Sequence, residues 1–260
     1  VTLAVQHGVG LHGFARVVIA TLAGVAAGIA NGIAGGGSFF SFPVLLALGI
    51  PALTANVSST VGVLPSYLPG ITGFRTELRA RRTVLMALLP ACLLGSLVGT
   101  ALLLSGSSAE FRAVVPWLIG FATVTFAVQP LLLRAVAHVP HDHPRRKWLL
   151  QVGVFCVAIY GGYFGAGLGI MLLAVMGVAL PDDLTTLSGL RSALSIVITA
   201  VAALVFVLRG HLAWEMVVCL WVGTFLGGIL GTRVVKRVRP SWLRAIIVAM
   251  GVATTVRLLV

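Results

Sequence analysis

Two glycine-interrupted stretches of this chain are near copies of each other, so it must fold as two related halves. Gly32-Ile33-Ala34-Gly35-Gly36-Gly37, followed by Pro51, recurs 130 positions later as Gly162-Tyr163-Phe164-Gly165-Ala166-Gly167 and Pro181. Leu94-Gly95-Ser96-Leu97-Val98-Gly99-Thr100 recurs 132 positions later as Leu226-Gly227-Gly228-Ile229-Leu230-Gly231-Thr232. Two matches at nearly one offset indicate a duplicated unit, 1–140 and 141–260, within a single membrane domain. Each half carries an apolar segment broken by glycines, the sequence pointer to a midplane site in secondary transporters.

Hydrophobic residues make up 59% of the 260 residues and charged residues 9%, against about 25% charged in a soluble domain. The chain is therefore an integral membrane protein. Apolar runs of about the 20 residues a bilayer requires cover Phe14–Ala34, Leu53–Gly73, Val84–Leu104, Val114–Leu133, Leu187–Leu208, Val217–Val234 and Leu243–Val260. Trp148–Leu180 is apolar too, with glycines near its middle. The net charge of +12 excludes nucleic acid as a partner once its placement is read. Thirteen of the 18 Lys and Arg fall in three connections: Arg75, Arg79, Arg81 and Arg82; Arg134, Arg145, Arg146 and Lys147; Arg233, Lys236, Arg237, Arg239 and Arg244. That is the positive-inside pattern of cytoplasmic loops. Val1–Gly13 lacks a charged n-region and a cleavage site, so the first span is expected to act as the insertion signal.

Charge also orients the halves. The basic loop 74–83 has its repeat counterpart at Leu208–Glu215, which is poor in bases, while the weakly charged Ser105–Ala113 corresponds to the basic 233–244. Equivalent loops lie on opposite sides, so the halves are expected to be inverted. Three apolar segments separate the second basic loop from the third, where an even number of crossings is needed. Trp148–Leu180 resolves the parity as a hairpin, with about 16 residues before Phe164 and about 11 after Gly169. The expected fold is all-α: two inverted-topology repeats, each a glycine-broken helical hairpin plus three transmembrane helices, with both termini extracytoplasmic.

Arg191 is the charged side chain that lies well inside a full span. A guanidinium at depth costs roughly 2.5–3.5 kcal/mol on insertion scales, and no intramembrane carboxylate is available to offset it. It is either an anion ligand or a cation that snorkels to phosphates from one turn below the surface. Thr185, Thr186, Ser188, Ser192 and Ser195 surround it in sequence, and the first half supplies Asn56, Ser58, Ser59 and Thr60 at the same offset. Asn56 maps onto Ser188, and Ser59 onto Arg191. Such groups donate to an oxyanion or bond to helix carbonyls. Gly35, Gly36, Gly37 and Ser38, with Gly165, Gly167 and Gly169, are denser than packing needs and are expected to open backbone N–H groups at half-helix starts, where an anion is favoured. The substrate-binding set is therefore Gly35, Gly36, Gly37, Ser38, Asn56, Ser59, Gly165, Gly167, Ser188, Arg191 and Ser192. Gly95/Gly99 and Gly227/Gly231 read as helix-packing pairs.

Other chemistries find little support. Neither glycine cluster continues into Gly-Lys-Ser/Thr, so no nucleotide loop is expected. Cys92, Cys156 and Cys219 are far apart and read as small buried residues. His138, His141, Asp142 and His143 belong to a solvated basic loop, and Asp182 and Asp183 to a surface turn or helix cap. With no paired carboxylates, no His in a span and no Ser/His/Asp set, an enzyme is not expected, nor a cofactor or metal. Side-chain proton coupling would fall to Tyr67, Tyr160 or Tyr163.

The chain resembles the sulfite exporter TauE/SafE family of bacterial membrane proteins. The resemblance rests on Asn31-Gly32-Ile33-Ala34-Gly35-Gly36-Gly37-Ser38, Pro43 and Leu48-Gly49-Ile50-Pro51-Ala52-Leu53-Thr54-Ala55-Asn56. In the second half it rests on Leu187–Ser195, Gly210-His211-Leu212-Ala213-Trp214 and Leu226–Thr232. It implies a multi-pass protein of the bacterial cytoplasmic membrane that exports sulfite or sulfonates. The chain departs from the family pattern at Ser188, Arg191 and Ala166; Arg191 keeps the charge but offers a planar fork where Lys offers a point charge. Alternatives are import or exchange of another small anion, and a non-transporting scaffold subunit. The expected partners are the anion and the bilayer, with homo-oligomerisation left open.

Overall fold

The computed structural model of the chain describes residues 2–33, 35–136, 146–234 and 240–259. Among them there are helices and turns and no strand. In the first half, α1 (Thr2–Ile33) and α2 (Ser38–Ala47) form a hairpin around the glycine cluster, followed by α3 (Ala52–Val63), a 3-10 turn (Leu64–Tyr67), α4 (Leu68–Gly73), α5 (Arg75–Ala80), α6 (Arg82–Ser105) and α7 (Ser108–Val136). The second half runs α8 (Arg146–Tyr163), α9 (Leu168–Ala179), α10 (Leu184–Arg209), α11 (Trp214–Val234) and α12 (Pro240–Leu259).

Five described helices are long and apolar enough to cross a membrane: Gly13–Ile33, Arg82–Ser105, Ser108–Val128, Leu184–Arg209 and Trp214–Gly231. Their outward surfaces are bare hydrocarbon, with Phe14, Trp117 and Leu208 at least 70% exposed. Only a lipid environment makes such a surface inexpensive.

Three features differ from the sequence expectation. The run Leu53–Gly73 is not one helix but α3, a 3-10 turn and α4, because Pro65 and Pro69 withhold the N–H groups that would continue the ladder. The arms of the second hairpin are short as expected, at 18 and 12 residues, but α1 has 32. The first arm of the first hairpin is thus long enough to cross by itself. The loop with His138, His141, Asp142 and His143 lies outside the described residues. Cys92 and Cys219 are buried as expected, while Cys156 is exposed and faces outward from α8.

The helix contacts exchange between the halves. α1 packs on α11 and α8 packs on α6; α3 packs on α11 and α10 on α6; α7 and α12, equivalent to each other, pack together. The glycine pairs make the same exchange residue by residue. A Cβ on Gly95 would lie 2.6 Å from the Phe155 carbonyl oxygen, and Gly99 abuts Ile159; Gly227 abuts Val25, and a Cβ on Gly231 would lie 2.9 Å from the Ile29 oxygen. Val25 and Ile29 are the repeat mates of Phe155 and Ile159. Each pair lets two helix backbones touch, which is the close approach that small residues provide in membranes.

At one edge, Arg81 between α5 and α6 reaches Asp182 just before α10, with Arg81 Nε donating to Asp182 Oδ1 at 2.7 Å. The Asp182 side chain is 6% exposed and that of Arg81 40%. Asp183 caps α10: its carboxylate accepts from the Thr185 N–H at 3.1 Å and the Thr186 hydroxyl at 2.5 Å. The Thr186 bond, first of all, holds the Asp183 carboxyl below its ordinary range. The unequal burial of the ion pair makes its two halves unequal. Arg81→Ala strands a buried carboxylate and should cost about 2 kcal/mol, whereas Asp182→Asn frees a half-exposed arginine at a cost under about 1 kcal/mol. Thermal unfolding of the two variants in detergent checks the order.

Candidate anion site at the crossing of the hairpins

The two glycine turns have one backbone form. Gly35 and Gly165 both sit at φ +78, and each N–H closes a wide turn onto the preceding helix: Gly35 to Ala30 O at 3.0 Å and Gly165 to Tyr160 O at 3.2 Å. Only glycine takes this left-handed form cheaply. The turns also bring the hairpins into backbone contact. A Cβ on Gly35 would lie 2.7 Å from the Gly169 Cα, and one on Gly169 would lie 2.8 Å from the Gly35 Cα. The N-terminal ends of α2 and α9 therefore meet at the centre of the protein, and their dipoles favour negative charge there.

Arg191 lies against this crossing. A Cβ on Gly169 would lie 3.3 Å from Arg191 Cδ, and Arg191 is 4% exposed. Such burial removes the snorkelling alternative, since the side chain does not reach the outer surface. Among the described residues Arg191 makes no ion pair, and it is the charged member of the buried polar set. Its electrostatic neighbour is a neutral group: Tyr67, from the 3-10 turn, lies close to Arg191 and has its hydroxyl beside Thr199 and Asn31. Tyr67 and Thr199 are repeat mates at the offset of 132, so equivalent positions of the two halves face each other here.

The remaining polar groups divide into those already bonded and those available. Asn31 Nδ2 donates to Ser66 Oγ at 2.8 Å, and its Oδ1 accepts the Gly37 N–H at 2.6 Å. The Gly37 N–H is thus engaged by the protein, as is that of Gly35. Gly36 packs under the Phe126 ring, Gly167 faces Phe39 and Ala122 with φ +76, and Ser38 opens α2 half-buried. Asn56 Nδ2 donates to Tyr163 O at 3.0 Å, tying α3 to the end of α8. Ser59 Oγ pairs with Ser41 Oγ at 2.6 Å, and Ser58 Oγ accepts the Ala213 N–H at 2.9 Å. Ser192 donates to Ser188 O at 2.9 Å and Thr60 to Asn56 O at 3.0 Å, both within their own helices. Ser195, 1% exposed, is different: its Oγ has no hydrogen-bond partner. It stands one turn beyond Arg191 on α10, with Thr199 a further turn on, so the three share a face.

The structure therefore gathers Gly35, Gly169 and Arg191 with Tyr67, Asn31, Ser195 and Thr199. Asn56, Ser58 and Ser59 instead bond to neighbouring helices. Asn31 entered the sequence reading only through the glycine motif, because its repeat mate, Gly161, is apolar and the offset passes over it. Tyr67 and Thr199 carried a legible signal in being polar at the same place in both halves.

The model of the family described as sulfite exporter TauE/SafE matches residues 20–258. The chain belongs to the TauE/SafE family. It is similar to a probable membrane transporter protein of Haemophilus influenzae, 24% identical over 249 residues and covering 95% of each chain. It is also similar to the probable membrane transporter protein YfcA of Escherichia coli, 23% identical over 86% of this chain and 82% of that one. The probable membrane transporter protein ORF9 of a Sinorhizobium species is 26% identical over 86% and 85%. For a TauE/SafE chain, the central arginine and the glycine turns occupy one place, whereas the larger grooves described lie at the perimeter. One of about 690 Å³ between α6 and α10 is lined by Leu97, Leu104, Leu208 and Arg209, a surface that acyl chains would fill.

Proposed function

We propose that this chain is a transporter of the bacterial cytoplasmic membrane that exports small sulfur-containing anions, sulfite or sulfonates, through a site between two inverted repeats. The observation that carries the reading is Arg191: a guanidinium 4% exposed, with no carboxylate partner among the described residues, placed against the glycine crossing. A buried cation is costly unless something offsets it, and an oxyanion in the fork of the guanidinium does so with paired hydrogen bonds. The family's description as sulfite exporter supports a sulfur oxyanion as the substrate. The inside-negative potential assists an anion outward by about 2.3 kcal/mol per charge per 100 mV, enough to drive export without a coupling ion. The test is sulfite efflux from proteoliposomes against empty vesicles. Saturable flux supports the reading, and a well-folded protein without flux of sulfite or any sulfonate refutes it.

The opposite charge character of equivalent loops, basic at 74–83 and poor in bases near His211, supports inverted repeats. Cysteines introduced at Ala80 and at His211, both exposed, should be labelled by an impermeant reagent from opposite sides. Labelling from one side would mean parallel repeats.

A further inference from the structure

The buried charge at the crossing is a single positive one. Arg191 is the charged residue among the buried described residues, and the groups gathered with it, Tyr67, Asn31, Ser195 and Thr199, are neutral. The charged groups on the helices that pack against α10 do not change this count. Arg75, Arg79, Arg82 and Lys147 are exposed, Arg81 and Asp182 are paired with each other, and Glu77 is half-buried near Gly189, at the N-terminal end of α10.

Charge balance in such a place is strict. A monoanion against Arg191 leaves the site neutral. A dianion leaves one uncompensated negative charge in a setting where water has been largely replaced by hydrocarbon and neutral hydroxyls, and its lost hydration is not returned. The helix ends of α2 and α9 contribute partial positive charge only within their first turns, and the Gly35 and Gly37 N–H groups are already bonded.

Resting on the anion-site reading above, we infer that this site selects by charge. It takes singly charged oxyanions, hydrogen sulfite or a sulfonate, in preference to doubly charged ones. Arg191 supplies the countercharge, and the Ser195 hydroxyl supplies a neutral donor that recognises an oxygen without adding charge. Ser195 suits that role because its Oγ is fully buried and forms no bond within the protein, one turn from Arg191 on the same helix face.

The test compares anions of nearly one shape at a single pH. Methanesulfonate and sulfamate are monoanions and sulfate is a dianion; all three have a tetrahedral sulfur, with three oxygens on it in the first two and four in sulfate. Each is added as a competitor of sulfite efflux in wild-type proteoliposomes. Both monoanions are expected to compete at concentrations about 100-fold below sulfate. Sulfate competing as well as the monoanions, or neither monoanion competing, overturns the inference while the exporter stands. Absence of sulfite efflux from folded protein overturns the reading beneath it. Ser195→Ala adds a second readout: half-inhibition by methanesulfonate should rise about 10-fold with no fall in the thermal midpoint, since the hydroxyl has no protein bond to lose. A lower midpoint with unchanged inhibition would make Ser195 structural and remove it from the site.

Discussion

Arg191→Ala is expected to lower sulfite efflux by about 100-fold or more while the protein stays folded. The flux loss follows from removing the fork and the countercharge together, an effect of the size seen when a preorganised donor is deleted from a buried site. Retention of the fold follows from the same burial. Arg191 has no protein ion pair among the described residues, so its removal strands no opposite charge and relieves a group that costs roughly 2.5–3.5 kcal/mol to hold at depth. Lost packing of its aliphatic stem against Gly169 offsets part of that relief. Arg191→Lys separates charge from geometry: a point charge without the planar fork should retain flux at about a tenth of wild type. Thermal midpoints measured beside the flux decide the matter. A folded Arg191→Ala protein with undiminished efflux would remove Arg191 from the site, and a protein that fails to assemble would make it a structural cation.

The second large effect is expected at the glycine crossing. Gly35 and Gly165 share φ +78, so alanine at either pays a similar backbone penalty of about 1 kcal/mol. Their surroundings differ. An added methyl at Gly165 meets only the Gly161 carbonyl oxygen at 3.2 Å, whereas at Gly35 it comes within 2.7 Å of the Gly169 Cα. That neighbour is backbone and has no rotamer to change, so α2 and α9 would have to separate. Overpacking of this kind costs about 1–3 kcal/mol beyond the backbone strain. Gly35→Ala should therefore reduce the yield of folded protein and its thermal midpoint well below those of Gly165→Ala. Equal midpoints would mean that the hairpins do not cross at this point.

The two substitutions also divide what could be read in the chain from what could not. That the protein is membrane-embedded and all-helical was legible in apolar run length, and an internal sequence repeat was legible in two offsets. The same offsets anticipated the matching turns at Gly35 and Gly165 and the packing of Gly95/Gly99 and Gly227/Gly231, because glycine spacing is a local record of backbone contact. The break of Leu53–Gly73 was not anticipated, although Pro65 and Pro69 stand where it occurs. Nor was the fate of the polar groups. Asn56, Ser58 and Ser59 looked like substrate donors by composition, yet each is taken up by a partner distant in sequence: Tyr163, Ala213 or Ser41. A hydroxyl in an apolar run bonds to whatever acceptor the fold brings near, and which one that is depends on helix crossings that no local pattern encodes.

By itself, then, the sequence determined the solvent, the duplication and the places where the backbone must turn, since those follow from hydropathy, repetition and the special freedom of glycine. Only the tertiary structure decided that the turns touch at Gly35 and Gly169, that Tyr67 meets its repeat mate Thr199 beside Arg191, and that Ser195 remains without a partner. Those are contacts between segments over 100 residues apart, or consequences of them, and they exist only once the two halves have packed.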